Sequence, residues 1–256
     1  MVNDANYILI TGATSGFGEA TATEFSRMGW NVIITGRRNE RLLELKKNLE
    51  KKYNNDIIPL NFDVRNQNEV SSAIQSLSEQ VKRKISVLVN NAGLAAGRTP
   101  FDQGEIDDWE QMIDTNIKGL LYITKEVIPI FKENNLGHII NISSIAGKEN
   151  YPDGNVYCAS KHAVDSLSNS LRIDLLKYGI KVTNIAPGAA NTEFSSVRYK
   201  GDQTKVKATY EGFQPLVAQD IAETIYFVCT RPIHVTINDL VIMPTGQANA
   251  TLFHKL

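Results

Sequence analysis

The chain has 256 residues, 42% of them hydrophobic, and 27 basic against 28 acidic side chains leave a net charge of −1. That balance offers no global field to nucleic acid or a membrane surface, and no apolar run approaches the ~20 residues of a membrane span. The opening stretch MVNDAN lacks the basic and apolar regions of a secretory leader, and Cys158 and Cys229 have no C-x-x-C partner. The expectation is free thiols in a cytoplasmic protein.

Residues 8–10 (ILI) form a short apolar run of the kind buried on both faces of a parallel sheet. The run ends at Thr11-Gly12, and glycines follow at 16 and 18 as a helical pattern opens with Phe17, Ala20, Phe25 and Met28. Gly29 is placed to stop that helix, and 31–35 reads as a second strand. Asn39 is expected to cap a helix whose inner stripe is Leu42, Leu45, Leu49 and Tyr53. A third strand at 57–62 ends at Asp63, and Val70, Ile74, Leu77 and Val81 make another helical stripe. Residues 85–89 are a fourth strand running into Asn90-Asn91-Ala92-Gly93. After a loop, a long helix is expected to open at Asp107 with Glu110 as capping-box partner. Trp109, Ile113, Leu120, Ile123 and Val127 would line its inner face, and Pro129 would kink it. A fifth strand at 138–142 ends at Ser143-Ser144, and the helix after Asn155 turns Val164, Leu167, Leu171 and Leu175 inward. The sixth strand, 180–185, is stopped by Pro187-Gly188, and 189–216 reads as a polar, irregular segment over the site. Asp220 with Glu223 suggests a capping box for a helix that Pro232 ends, and 240–243 is a short seventh strand.

Strand and helix alternate without linker, repeat or low-complexity break. The pattern specifies α/β: one domain over 1–256, a Rossmann-like doubly wound sheet of about seven parallel strands with helices on both faces. Ligands of such sheets bind at the carboxyl ends of the strands, so chemistry belongs in the turns there.

The first turn suits a phosphate. Gly12 permits the tight turn, Gly16 lets backbone approach a pyrophosphate, and Gly18 lets helix pack on strand, with Thr14, Ser15 and Phe17 completing the cradle. The alternative is a glycine-rich turn with no ligand. After the second strand, Gly36-Arg37-Arg38 stands where an acid would accept from a ribose hydroxyl. A guanidinium fork suits a 2′-phosphate, which points to NADP; otherwise the two are solvated arginines. Asp63, followed by Val64, either accepts from an adenine amino group or caps the next helix. Asn90, Ala92 and Gly93 offer amides and a glycine beside the cofactor.

Tyr157 and Lys161 are one helical turn apart and share a face, with Ser144 at the end of the preceding strand. Interconverting a carbonyl and an alcohol needs a proton carrier near the reacting oxygen, and a free tyrosine at a pKa of about 10 is a poor one near neutrality. An ammonium ~5 Å away at an effective dielectric of ~20 would contribute roughly 3 kcal/mol, about 2 pKa units. Without the surrounding motifs, such a pair would be surface decoration. Asn116 interrupts the apolar face of the long helix; it either satisfies backbone groups or holds a water that relays protons from Lys161. The histidines at 138, 162, 234 and 254 show no metal-ligand spacing, and Ser144 lacks a nucleophile elbow.

Thr11-Gly12-x-x-x-Gly16-x-Gly18, Asn90 to Gly93, Asn116, Ser144, Tyr157-x-x-x-Lys161 and Pro187-Gly188-x-x-x-Thr192, in this order, resemble the short-chain dehydrogenase/reductase family of the ordinary type. The resemblance implies a tetrad of Asn116, Ser144, Tyr157 and Lys161. In it Ser144 bonds the substrate oxygen, Tyr157 is the acid/base, Lys161 also holds the nicotinamide ribose, and Pro187, Gly188 and Thr192 bracket the nicotinamide. No metal is implied. A narrower resemblance, in 191–202 (NTEFSSVRYKGD) and 243–247 (MPTGQ), is to NADP-dependent 3-hydroxy acid dehydrogenases. It implies oxidation of L-serine and L-allo-threonine, reduction of malonic semialdehyde, and a homotetramer. Phe17 and Ala189-Ala190 depart from the residues usual in the family.

A 3-hydroxy acid needs a cation for its carboxylate. Arg98, Arg198, Lys200, Lys205 and Lys207 are candidates, Arg198 first. The rival readings are an NADPH-dependent reductase of a bulkier ketone, aldehyde or steroid, and a dinucleotide-sensing protein without turnover. A methyltransferase on a similar glycine turn explains neither the arginine pair nor the Tyr/Lys pair.

Overall fold

A computed structural model describes residues 6–255; most of the N-terminal stretch read for a leader, 1–5, lies outside them. The strands are β1 (Tyr7–Ile10), β2 (Asn31–Gly36), β3 (Ile57–Asn61), β4 (Ile85–Asn90), β5 (His138–Ile142), β6 (Lys181–Pro187) and β7 (Asp239–Ile242). They form one parallel sheet in the order β3-β2-β1-β4-β5-β6-β7. Its order reverses between β1 and β4, which opens a crevice at their carboxyl ends.

Alternate residues of each strand feed opposite cores. Ile8 and Ile10 pack with α1 (Gly16–Arg27), α2 (Asn39–Lys52) and the late helix α10 (Ala218–Cys229). Tyr7 and Leu9 pack on the other face with α3 (Gln67–Gln75), α6 (Leu120–Asn134) and the end of α7 (Asn155–Leu175). A third, smaller cluster of Leu94, Ala95, Met112, Ala146, Tyr157 and Cys158 lies under the site.

Several local expectations are corrected. The stripe from Val70 to Val81 is two helices, α3 and α4 (Glu79–Lys82), because Ser76 bonds the Ala73 carbonyl and Ser78 caps α4 through Val81 N–H. Arg38, not Asn39, is the N-cap of α2, and the helix expected from Asp107 begins as α5 (Ile106–Ile113) behind Glu105. Residues Asp114–Gly119 then form a π-helical turn. Its i→i+5 pairing shifts the register, so Met112 is buried and Ile113 is 39% exposed, the reverse of the expected face. The segment 189–216 is not irregular: it carries α8 (Glu193–Arg198) and α9 (Gln203–Tyr210). α10 starts after Val217, whose N–H donates to Asp220 Oδ2, so Asp220 closes the cap rather than opening it.

Phe25 ties α1 to α10: it is fully buried, edge-on to Trp30 at 5.3 Å and to Tyr226 at 5.4 Å. Phe25→Ala should therefore cost about 3–5 kcal/mol of stability, read as a lower urea midpoint with the slope unchanged.

Candidate active site

The turns after β1, β2, β4, β5 and β6 converge on one cleft of about 570 Å³, the size of a small-molecule site. Gly12, Thr14, Ser15, Gly16 and Phe17 line its entrance, with Arg37, Arg38, Asp63 and Val64 at one end. Ala92, Gly93, Ser144, Tyr157, Lys161, Pro187, Gly188, Thr192 and Arg198 line the other.

The glycine turn fits a dinucleotide. Gly16 has φ +56°, a region costly for other residues. A Cβ on Gly18 would meet Asn91 Nδ2 at 2.6 Å and the Gly12 carbonyl closer still, so α1 can approach the strand only with glycine there. Ser15, the N-cap, makes no side-chain bond to the helix; its hydroxyl instead accepts from Arg38 Nη2 at 2.9 Å. The N-terminus of α1 thus faces the cleft with its dipole available to an anion. Arg37 is the less committed of the arginine pair, 3.7 Å from Asp63. Asp63 does not cap α3; Asn66 does, and Asp63 binds Arg65 at 2.7 Å. Burial raises the Asp63 carboxyl, but hydrogen bonds from Arg65 outweigh it and leave it below its ordinary value.

The side chains of Asn90 and Asn91 take opposite directions. The Asn90 amide turns away from the cleft, donating to Thr124 Oγ1 and Asn141 Oδ1, both at 2.8 Å. Asn91 faces the cleft instead, donating to the Thr11 and Gly12 carbonyls. Successive residues leaving a strand point to opposite sides, and the Asn-Asn pair alone does not say which faces the ligand.

The Asn116 side chain bonds backbone groups of Leu94 and a neighbouring hydroxyl. Its Oδ1 accepts from Leu94 N–H at 2.9 Å, and its Nδ2 donates to Leu94 O at 2.8 Å and Ser160 Oγ at 3.0 Å. Both amide hydrogens are committed, so the side chain pins the loop after β4 to α7. Lys161 Nζ donates to the Ile142 carbonyl at 2.9 Å and lies 5.9 Å from the centre of the Tyr157 ring. Tyr157 and Lys161 share the cleft, but their electrostatics differ from the expectation. Burial is the largest influence on Tyr157 and pushes its phenol up, with Tyr151 adding to the rise. The Ser144 hydroxyl and Arg198 pull it down.

Arg198 lies on α8, its guanidinium 5.4 Å from the centre of the Tyr151 ring and 5.5 Å from that of Tyr157. Its Nε and Nη2 are buried without a hydrogen-bond partner. Of the other candidate cations, Arg98 also lines the cleft, 5.5 Å from the centre of the Tyr151 ring, whereas Lys200 pairs with Asp108 at 2.8 Å and Lys205 with Asp202 at 3.6 Å. Tyr151, Phe194 and Gln247 also shape this end, and sequence reading missed all three. Gln247 Oε1 accepts from Ala189 N–H at 2.7 Å, tying the C-terminal segment to the turn after β6.

Burial lowers the Lys161 ammonium to about 8. Its folded value thus lies below the unfolded one of about 10.4, so folding disfavours the proton at every pH below about 8, and stability rises between the two values. Lys161→Met should raise stability at pH 7 by about 1–3 kcal/mol, less what the unpaired Ile142 carbonyl costs. That gain should shrink as pH climbs from about 8 to 10, measured by urea melts across the range.

The short chain dehydrogenase family model matches residues 6–203. The NADP-dependent 3-hydroxy acid dehydrogenase YdfG of Salmonella typhi is 48% identical over 246 residues, 96% of this chain and 97% of that protein. Sulfoacetaldehyde reductase 2 of Chromohalobacter salexigens is 46% identical over 245 residues, 95% of this chain and 96% of that protein. The closed form of a serine dehydrogenase complexed with NADP+ superposes with a TM-score of 0.91 at 45% identity, covering 98% of this chain and 100% of that one. With the converging turns and the Tyr157/Lys161 pair, these matches make the chain a member of the short-chain dehydrogenase family.

Proposed function

We propose that this NADP-dependent oxidoreductase interconverts small 3-hydroxy acids, of the L-serine, L-allo-threonine and 3-hydroxypropionate type, and their 3-oxo acids. The observation that carries the substrate class is Arg198. The Arg198 guanidinium lines the cleft over the rings of Tyr151 and Tyr157, and two of its nitrogens, Nε and Nη2, have no hydrogen-bond partner and can take an anion. A carboxylate bound there brings the β-hydroxyl of a three- or four-carbon acid to Ser144 and Tyr157. The relatives named for 3-hydroxy acids and for serine point the same way.

When bound, the nicotinamide supplies chemistry the chain lacks, exchange of a hydride with the substrate carbon. Ser144 donates to the substrate oxygen, and Tyr157 takes the hydroxyl proton during oxidation and returns it during reduction. Lys161 carries the charge beside that proton. The phenol of the free enzyme is held up by burial. The positive charge of the oxidised nicotinamide would pull it toward working pH, adding to the pull of Ser144 and Arg198. Asn116 contributes by holding Leu94 and Ser160. Gly12, Thr14, Ser15, Gly16 and Phe17 with Arg37, Arg38, Asp63 and Val64 would hold the adenosine half of NADP. Ala92, Gly93, Pro187, Gly188 and Thr192 would hold the nicotinamide half.

The same reading makes the enzyme a cytoplasmic homotetramer, consistent with Phe227 and Val241, each 47% exposed, on the face of α10 and β7. Light scattering checks the assembly. Among the described residues no helix is long and apolar enough to cross a membrane.

Initial rates with L-serine, L-allo-threonine, 3-hydroxypropionate and neutral 1-propanol, each with NADP+ and NAD+, test the substrate class. The acids with NADP+ should lead; turnover of bulky neutral ketones with none of the acids would overturn it. Arg198→Ala should cut kcat/KM for the acids about thirtyfold, roughly 2 kcal/mol, and leave 1-propanol unchanged. Tyr157→Phe should lose about 10²–10⁴ in kcat while NADP+ still binds, measured by fluorescence titration.

A further inference from the structure

The helix that carries Arg198 is fastened at its other end to the coenzyme side of the cleft. Glu193, the first residue of α8, accepts from Arg38 Nη1 at 2.9 Å and from Arg41 Nη1 at 2.7 Å. Arg38 spends its remaining donors on the glycine turn: Nε and Nη2 reach Thr14 Oγ1 at 3.1 and 2.8 Å, and Nη2 reaches Ser15 Oγ at 2.9 Å. One carboxylate therefore joins three separate segments, the phosphate-binding turn, the start of α2 and the start of α8. At the far end of α8, Gly97 N–H donates to the Arg198 carbonyl at 3.0 Å, and Lys200 pairs with Asp108 on α5. The helix is a six-residue bar pinned at both ends.

Neither Glu193 nor Arg41 has a place in the chemistry described above, yet their pairing fixes the helix on which the substrate's cation rides. We propose that Glu193 is a positioning residue: by clasping Arg38 and Arg41 it holds α8 across the cleft, so that Arg198 meets the carboxylate of the 3-hydroxy acid beside Tyr157. The inference rests on the substrate reading given under Proposed function. It has a consequence of opposite sign for the two ligands. Arg38 faces both the carboxylate of Glu193 and the site of the 2′-phosphate, so the two anions draw on one guanidinium. Loss of the Glu193 charge releases α8 and weakens the hold on substrate, while leaving Arg38 and Arg41 freer for the phosphate.

Steady-state kinetics of the full-length Glu193→Gln enzyme test this with 3-hydroxypropionate and NADP+. The KM for the acid should rise about fivefold, with kcat within about twofold, and the KM for NADP+ should stay level or fall. Arg41→Gln should raise the acid's KM in the same way, and the double variant should add little to either single one. The conservative Glu193→Asp, which keeps a carboxylate for both arginines, should lose less than Glu193→Gln. An unmoved KM for the acid, or a rise in both KM values together, would overturn the clasp; the second would mark Glu193 as a residue of general stability. Absence of turnover of the acid by the parent enzyme would overturn the substrate reading and the clasp together. Turnover with an unmoved KM in Glu193→Gln would overturn the clasp alone.

Discussion

Desolvation is the constraint on which the reacting end of this molecule rests. A phenol, an ammonium and a guanidinium, groups that water would keep, are packed around one end of the cleft at Tyr157, Lys161 and Arg198. Their distances are set by elements that cannot easily yield. Asn116 locks Leu94 to Ser160, and Leu94, Ala95, Met112, Ala146 and Cys158 form an apolar floor beneath them. Burial lowers the Lys161 ammonium to about 8 and raises the Tyr157 phenol, whereas the tyrosines around Arg198 outweigh its burial and favour the charged guanidinium. In the free protein the phenol of Tyr157 is thus held in its protonated form. Under the proposed function, a cation arriving beside the phenol and an anion arriving beside the guanidinium would change that balance.

The sheet makes this possible by separating support from function. Strands whose residues are buried on both faces supply rigidity, and every turn at their carboxyl ends is left to ligands. One end of the cleft is built from backbone approach and arginine charge, the other from α8 and the short turn after Ser144. Glu193 and Gln247 join these parts across long stretches of sequence, one to the arginines of α2 and one to the turn after β6.

Much of the architecture was legible because a parallel sheet demands continuous apolar runs. ILI at 8–10 and the apolar runs of the other inner strands permit little else, and the glycine turn follows from the room that Gly18 must leave. The arginine pair and the Tyr/Lys turn were readable as local spacing. What escaped had no local periodic signal. α9 buries none of its residues and α8 buries only Ser195, so neither shows an apolar stripe. The π turn at 114–119 breaks the 3.6-residue repeat that any stripe assumes, hence the exchange of Met112 for Ile113. Tyr151 gains its meaning only from Arg198, far along the chain, which folding brings over its ring. The electrostatic expectation failed for a related reason: spacing places an ammonium near a phenol but does not reveal that both are out of water.

Ionisation of Tyr157 is the most direct test of this account. Ultraviolet difference titration of the wild type against Tyr157→Phe isolates that one phenol, without and then with saturating NADP+. A titration shifted to markedly lower pH in the NADP+ complex is the predicted result. A phenol that ionises at the same high pH in both states would contradict the central claim.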